Sequence, residues 1–158
     1  MSAPQLIKEI PMKKTIFLCA LLLSVSVSCS GKKPVTGLVN GNLQPCPGSP
    51  NCVVSQGGDV KHTIAPLSYK GDRERIFPLF RDLVKTMDRV TLVEEDKNYL
   101  RFEFRTRIFG FVDDVEFLFP DEPLIHVRSA SRTGYSDMGV NRKRIESIRQ
   151  LMMGLPQE

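Results

Sequence analysis

The densest chemistry in the chain lies in RSASRTGYSDMGVNRKRIESIRQLM, positions 128–152, where a polar, glycine-punctuated loop runs into an amphipathic helix. Arg128, Arg132, Arg142 and Arg144 supply guanidinium groups, Ser136 and Asp137 a hydroxyl and a carboxylate, and Asn141 an amide where the helix is expected to begin. Read as the N-cap, Asn141 places Val140 and Ile145 at the N′ and N4 positions of a hydrophobic staple. Arg142, Lys143 and Arg144 then occupy N1 to N3, where each cation opposes the helix dipole by about 0.3 to 1 kcal/mol at low ionic strength. Two arrangements would compensate. Asp137, with Asp113 and Asp114 earlier in the chain, offers carboxylates for guanidinium pairs. Alternatively, the arginines and the free amides of the helix start make a site for phosphate or carboxylate. The two arrangements are compatible.

Catalytic readings rest on less. Ser129, Ser131, Ser136, Asp137, His62 and His126 are the parts of a serine-type triad, yet no nucleophile-elbow glycine pattern surrounds any serine. Asp113 and Asp114 are adjacent, so their side chains diverge in a strand, and neither HxxxH nor CxxC occurs. GYSDMG lacks the lysine and spacing of a phosphate-binding P-loop. We therefore expect no metal and no cofactor.

These groups must be held by a small number of elements. GDRERIFPLFRDLVKTMD repeats Ile76, Leu79, Phe80, Leu83, Val84 and Met87 at helical spacing, with Pro78 tolerable only near the first turn. Clean alternation follows. Leu100, Phe102 and Phe104 oppose Arg101, Glu103 and Arg105; Val115, Phe117 and Phe119 oppose Asp114, Glu116 and Leu118; Ile125 and Val127 oppose His126 and Arg128. VTLVEED, residues 90–96, supplies a preceding strand and HTIAPLSY, residues 62–69, a short extended segment. The expectation is an α+β fold, an antiparallel sheet of about four to five strands covered on one face by helices, in the order β-α-β-β-β-β-α. The other sheet face carries alternating charges and is either solvated or turned toward a ligand or partner.

The 158 residues suffice for one modest domain, with 41% hydrophobic and 25% charged residues. Residues 1–29 read differently. Lys13 and Lys14 precede the apolar run TIFLCALLLSVSV, a secretory layout too short for a comfortable membrane span. Met12 is the more natural start, which makes residues 1–11 a misassigned beginning. SVSC at 26–29 resembles a bacterial lipobox in which Cys29 carries the lipid (diacylglycerol, with palmitate as a typical chain), although Ser26 stands where leucine is usual. An ordinary signal with an incidental cysteine is the alternative, and Cys19 lies too close to Lys14 to be the anchor. Ser30, rather than an aspartate, favours the outer membrane. Removing Lys8, Lys13, Lys14 and Glu9 with this segment leaves 19 basic against 17 acidic residues. That near-neutral balance argues against nucleic acid as a partner.

Residues 30–44 read as a tether, and 45–154 as a single domain. At its start, QPCPGSPNCVVSQ separates Cys46 and Cys52 by five residues that include two prolines and a glycine. For an exported chain a disulfide is the default. Redox use, metal ligation and free thiols remain alternatives, though a catalytic dithiol usually has two intervening residues and a metal needs more ligands.

PCPGSPNCVVSQ, HTIAPLSY, YLRFEFRTRIFGFVDDVEFLF and IHVRSASRTGYSDMGVNRKRIESIR together resemble domain-of-unknown-function family 1499, found in bacterial exported and membrane proteins and in chloroplasts. The resemblance runs from about residue 43 to residue 152. It implies no catalytic assignment, and it marks Cys46, Pro50, Asn51 and Cys52 at one end and Ser136, Asp137, Asn141 and Arg142 at the other. The functional expectation is a non-enzymatic envelope lipoprotein domain, held to the membrane on the periplasmic side. It would bind a ligand or partner, an anion or an envelope protein, near residues 128–144. The competing expectation is a hydrolase using a Ser/His pair in the same region.

Overall fold

The computed structural model describes residues 35–156. The expected signal segment, the start at Met12, the lipobox and the lipidated Cys29 lie outside the described residues. Two-residue strands β1 (Leu38–Val39) and β2 (Asn42–Leu43) pair as an antiparallel ribbon. β3 (Cys52–Val54) and β4 (Leu67–Ser68) precede helix α1 (Arg73–Lys85). Strands β5 (Val90–Asp96), β6 (Tyr99–Arg105), β7 (Val112–Leu118) and β8 (Leu124–Ser131) then form an antiparallel meander, and helix α2 (Val140–Met152) follows.

The fold is α+β, and its strand count and order correct the expectation. The main sheet has six strands: β5, β6, β7 and β8 in sequence, with β3 and β4 sharing the free edge of β8. Ahead of α1 stand four short strands rather than one. β1, β2 and β3 carry no period-two pattern of useful length, because tertiary pairing rather than local alternation holds them. The ribbon also falls inside the segment expected as tether, and its Leu43 is buried.

One sheet face forms the core. Leu100, Phe102, Phe104, Val115, Phe117, Ile125 and Val127 are buried against Ile76, Phe80 and Val84 of α1 and Ile145, Ile148 and Met152 of α2. Phe80 meets Phe117 edge-on at 4.8 Å between ring centroids, the favourable aromatic arrangement. Pro78 is the sixth residue of α1, not in its first turn. It has no N–H to donate to the Glu74 carbonyl, yet the apolar stripe on either side keeps the helix continuous.

The opposite face is not simply solvated. Asp114, Glu116 and Arg128 are buried there, and Leu43, Val54, Tyr99 and Leu118 make a small second cluster, with Cys46 packed against it. Cys46 and Cys52 are joined in a disulfide that closes the residue 46–52 loop over this face. Loop-closure entropy assigns so short a ring about 2 kcal/mol of stabilisation. The Cys46→Ala/Cys52→Ala double variant is therefore expected to lower unfolding stability by about 2 kcal/mol, read from the urea midpoint at unchanged slope.

Candidate functional site

The alternation of β7 and β8 divides the predicted site residues between the two faces of the sheet. Asp113, Ser129 and Ser131 point to the core side, under the first turn of α2, and Asp114, Arg128 and Arg132 to the other. The arginines of the 128–144 segment therefore do not converge on one anion.

On the core side the helix register differs from expectation. Gly139 is the N-cap, with φ 80°, a left-handed conformation suited to glycine, and α2 begins at Val140. Asn141 is thus the second helical residue and is fully buried. Val140 is exposed, so the expected staple does not form. Asp137 does the capping: its carboxylate accepts the N–H of Gly139 at 3.0 Å and of Asn141 at 2.7 Å. Its negative charge offsets the cations that follow, which move to N3 through N5, and it occupies amides an external anion would need.

Asn141 instead ties the end of the core together. Its Oδ1 accepts from Ser129 Oγ and Arg144 Nη1, both at 2.6 Å, and its Nδ2 donates to the Asn51 carbonyl at 2.9 Å and to Ser131 Oγ at 3.0 Å. Arg144 crosses the Phe104 ring at 4.8 Å and donates to Asp113 Oδ2 at 2.6 Å. Arg142 reaches outward, donating to the Lys61 carbonyl at 3.1 Å. Ser136 Oγ accepts the Met138 N–H at 3.3 Å within the exposed loop.

On the far face, Glu116 and Arg128 are directly opposed across β7 and β8 and bond at 2.6 Å. Glu116 also accepts from Tyr99 Oη and the Gly37 N–H, each at 2.7 Å. Burial first, and then the Glu116 carboxylate beside it, raises the Tyr99 phenol pKa far above its ordinary range, so it remains a donor. Glu103 and Asp114 stand directly opposite each other as like charges. Arg132 bridges them. It donates to Asp114 through Nε at 2.7 Å and Nη2 at 2.8 Å, and to Glu103 through Nη2. Hydrogen bonding to Asp114 raises the Arg132 pKa, keeping it charged.

Beside these groups a cleft of about 670 Å³ opens between the residue 44–51 loop and the end of β8. Pro45 and Pro47 form an apolar wall, while Arg128, Asp114 and Arg132 supply polar side chains. Nε of Arg128 is the single buried side-chain nitrogen or oxygen among the described residues with no hydrogen-bond partner. Arg128 itself is only 5% exposed.

A family model described as "Protein of unknown function (DUF1499)" matches residues 42–152, about two thirds of the chain. The chain belongs to this family. No curated protein and no solved structure matches it. The matched span of the DUF1499 domain runs from the first residue of β2 to the last of α2, so it includes both walls of the cleft.

Within the DUF1499 domain the histidines of the hydrolase reading hydrogen-bond other groups. His62 bonds Asp59 Oδ1 at 2.8 Å and the Ser49 carbonyl at 3.2 Å, which engages both ring nitrogens. His126 meets Ser55 Oγ at 3.2 Å, a serine the sequence did not single out. Among the described residues neither histidine hydrogen-bonds Ser129, Ser131 or Ser136. Sequence reasoning also passed over Glu116 as a site residue, although alternation put it on the same face as Arg101 and Arg128. The cleft wall at Pro45 and Pro47 left no signal beyond its loop composition. No described helix is long and apolar enough to cross a membrane.

Proposed function

We propose that this domain is a non-enzymatic binding domain of the cell envelope, tethered to the membrane through lipid on Cys29, that takes a small ligand in the cleft beside residues 128–144. The observation that supports this is the partnerless Nε of Arg128. An unsatisfied buried donor costs about 1 to 3 kcal/mol, and a ligand oxygen that accepts from it once the Arg128 side chain turns toward the cleft would recover that cost. The ligand class follows from charge balance. Glu116 neutralises Arg128, while Asp114 and Glu103 take up Arg132, so the cleft wall holds one unpaired donor beneath its surface without a net positive field. A carboxylate or carbonyl with an apolar flank toward Pro45 and Pro47 fits this better than a multiply charged phosphate.

Thermal unfolding in the presence of monocarboxylates of increasing chain length, and of inorganic phosphate, tests the reading. Carboxylates are expected to raise the Tm saturably, by an amount equivalent to about 2.7 kcal/mol at 100 times Kd, and phosphate is not. Arg128→Lys keeps a cation next to Glu116 but has no Nε–H, and should abolish the shift. A full shift in that variant, or no shift with any carboxylate in the wild type, contradicts the proposal. Turnover of an ester or phosphoester lost in His126→Ala or His62→Ala would favour the hydrolase instead.

A further inference from the structure

The loop joining β6 to β7 and the loop joining β8 to α2 line one apolar hollow of about 450 Å³, with Ile108, Phe109, Phe111 and Met138 on its walls. These side chains are far from buried. Ile108 is 83% exposed, Phe109 73% and Met138 89%. The Phe109 and Phe111 rings stack at 5.4 Å, and the turn is held by the Thr106 N–H on the Phe111 carbonyl and the Phe111 N–H on Thr106 Oγ1, each at 2.9 Å. The apolar surface is therefore presented by a bonded turn. Contiguous exposed apolar surface of this kind marks an interaction site.

Its surroundings select the partner. The adjoining groove is lined by Arg89, Arg105, Arg107 and Lys143, with Asp88 as its only acidic residue. Neither Arg107 nor Lys143 pairs with a carboxylate among the described residues, whereas the nearest acids of the hollow, Asp113 and Asp137, are bonded to Arg144 and to the amides of α2. Aromatic and aliphatic side chains flanked on one side by cations complement an anionic bilayer surface, where apolar groups enter the headgroup boundary and basic ones meet phosphates. The described chain begins at the same end of the sheet. Val35, the first described residue, lines the cleft together with Gly134, a residue that also lines the hollow. Five residues separate it from Cys29, six steps of chain with a reach of about 20 Å at full extension.

We propose that the two loops dock this domain onto the anionic surface of the membrane that anchors it, so that it lies against the bilayer rather than swinging free on its tether. The proposal rests on the lipid-anchor reading for its tether only. Each basic residue near an anionic surface strengthens partition by about fivefold, so charge reversal at two positions is a large perturbation.

The chain contains no tryptophan, so Phe109→Trp gives a single reporter at the tip. The full chain carrying it is reconstituted in phosphatidylethanolamine/phosphatidylglycerol vesicles, with and without bromine on the acyl chains. Emission is expected to shift to the blue and to be quenched by half or more by the brominated lipid. Met153→Trp, just past the far end of α2, should behave as a water-exposed reporter. Adding Arg107→Glu and Lys143→Glu to the Phe109→Trp chain should return its emission to that state, and so should neutral phosphatidylcholine vesicles. A Phe109→Trp reporter as exposed and unquenched as the Met153→Trp one overturns docking. So does a blue shift that grows with protein concentration before any lipid is added, which identifies a second copy of the chain as the partner. The anchor is judged separately: an intact mass without acyl chains on Cys29 refutes the tether and leaves the reporter result standing.

Discussion

Glu116→Ala is expected to destabilise the domain by about 3 to 5 kcal/mol, the cost of leaving a buried charge without its partner. Glu116 is fully buried and accepts three hydrogen bonds, from Arg128, Tyr99 and the Gly37 N–H. Removing it strands a guanidinium at the centre of the covered sheet face and releases both the phenol and the backbone that hold the β1–β2 ribbon down. Against a typical domain stability of about 5 to 15 kcal/mol, that loss is large enough to unfold a marginal protein at room temperature. The partner variant distinguishes a stranded charge from lost packing. Glu116→Leu/Arg128→Met removes both ions together and should recover most of the loss, since apolar replacements of buried pairs are often neutral or better. Urea unfolding followed by circular dichroism measures both, and a double variant no better than Glu116→Ala would refute the electrostatic explanation.

Asn141→Leu is the second large effect, about 2 to 4 kcal/mol. The side chain of Asn141 joins Asn51, Ser129, Ser131 and Arg144, groups far apart in sequence, at a point with no exposure. Leucine fills similar volume, so the loss isolates the hydrogen bonds: the Asn51 carbonyl and the Ser129 hydroxyl would be left buried with fewer partners. Unfolding equilibria in urea read this directly. A change below about 0.5 kcal/mol would place Asn141 with ordinary surface positions and contradict its role as the tie between the residue 51 loop, β8 and α2.

The contrast between these two residues shows what could be read from the sequence. Period-two alternation located β6 through β8, and with them the core face of phenylalanines, because each side chain's orientation in a strand is a local property. The same alternation put Glu116 and Arg128 on one face, but not that the β1–β2 ribbon and the 46–52 disulfide loop would cover it. Those strands are two or three residues long and owe their existence to pairing partners elsewhere. Asn141 illustrates a different limit. Asparagine before an apolar run reads as an N-cap, yet the left-handed turn at Gly139 lets the helix start two residues earlier and hands capping to Asp137. The asparagine is then free to satisfy buried groups up to 90 positions away. The three cations after it follow the same logic: Asp137 offsets them from the loop and Asp113 holds Arg144, while Arg142 turns outward.

The central claim is that Arg128 keeps one donor for an external oxygen. Its Nε–H gives a nitrogen resonance separable from backbone amides, so a carboxylate titration followed by two-dimensional nitrogen-15 correlation spectroscopy observes that donor itself. Saturable movement of this resonance, absent in Arg128→Lys, is the predicted result; an Nε–H signal that stays fixed while the protein is saturated with carboxylate would contradict it.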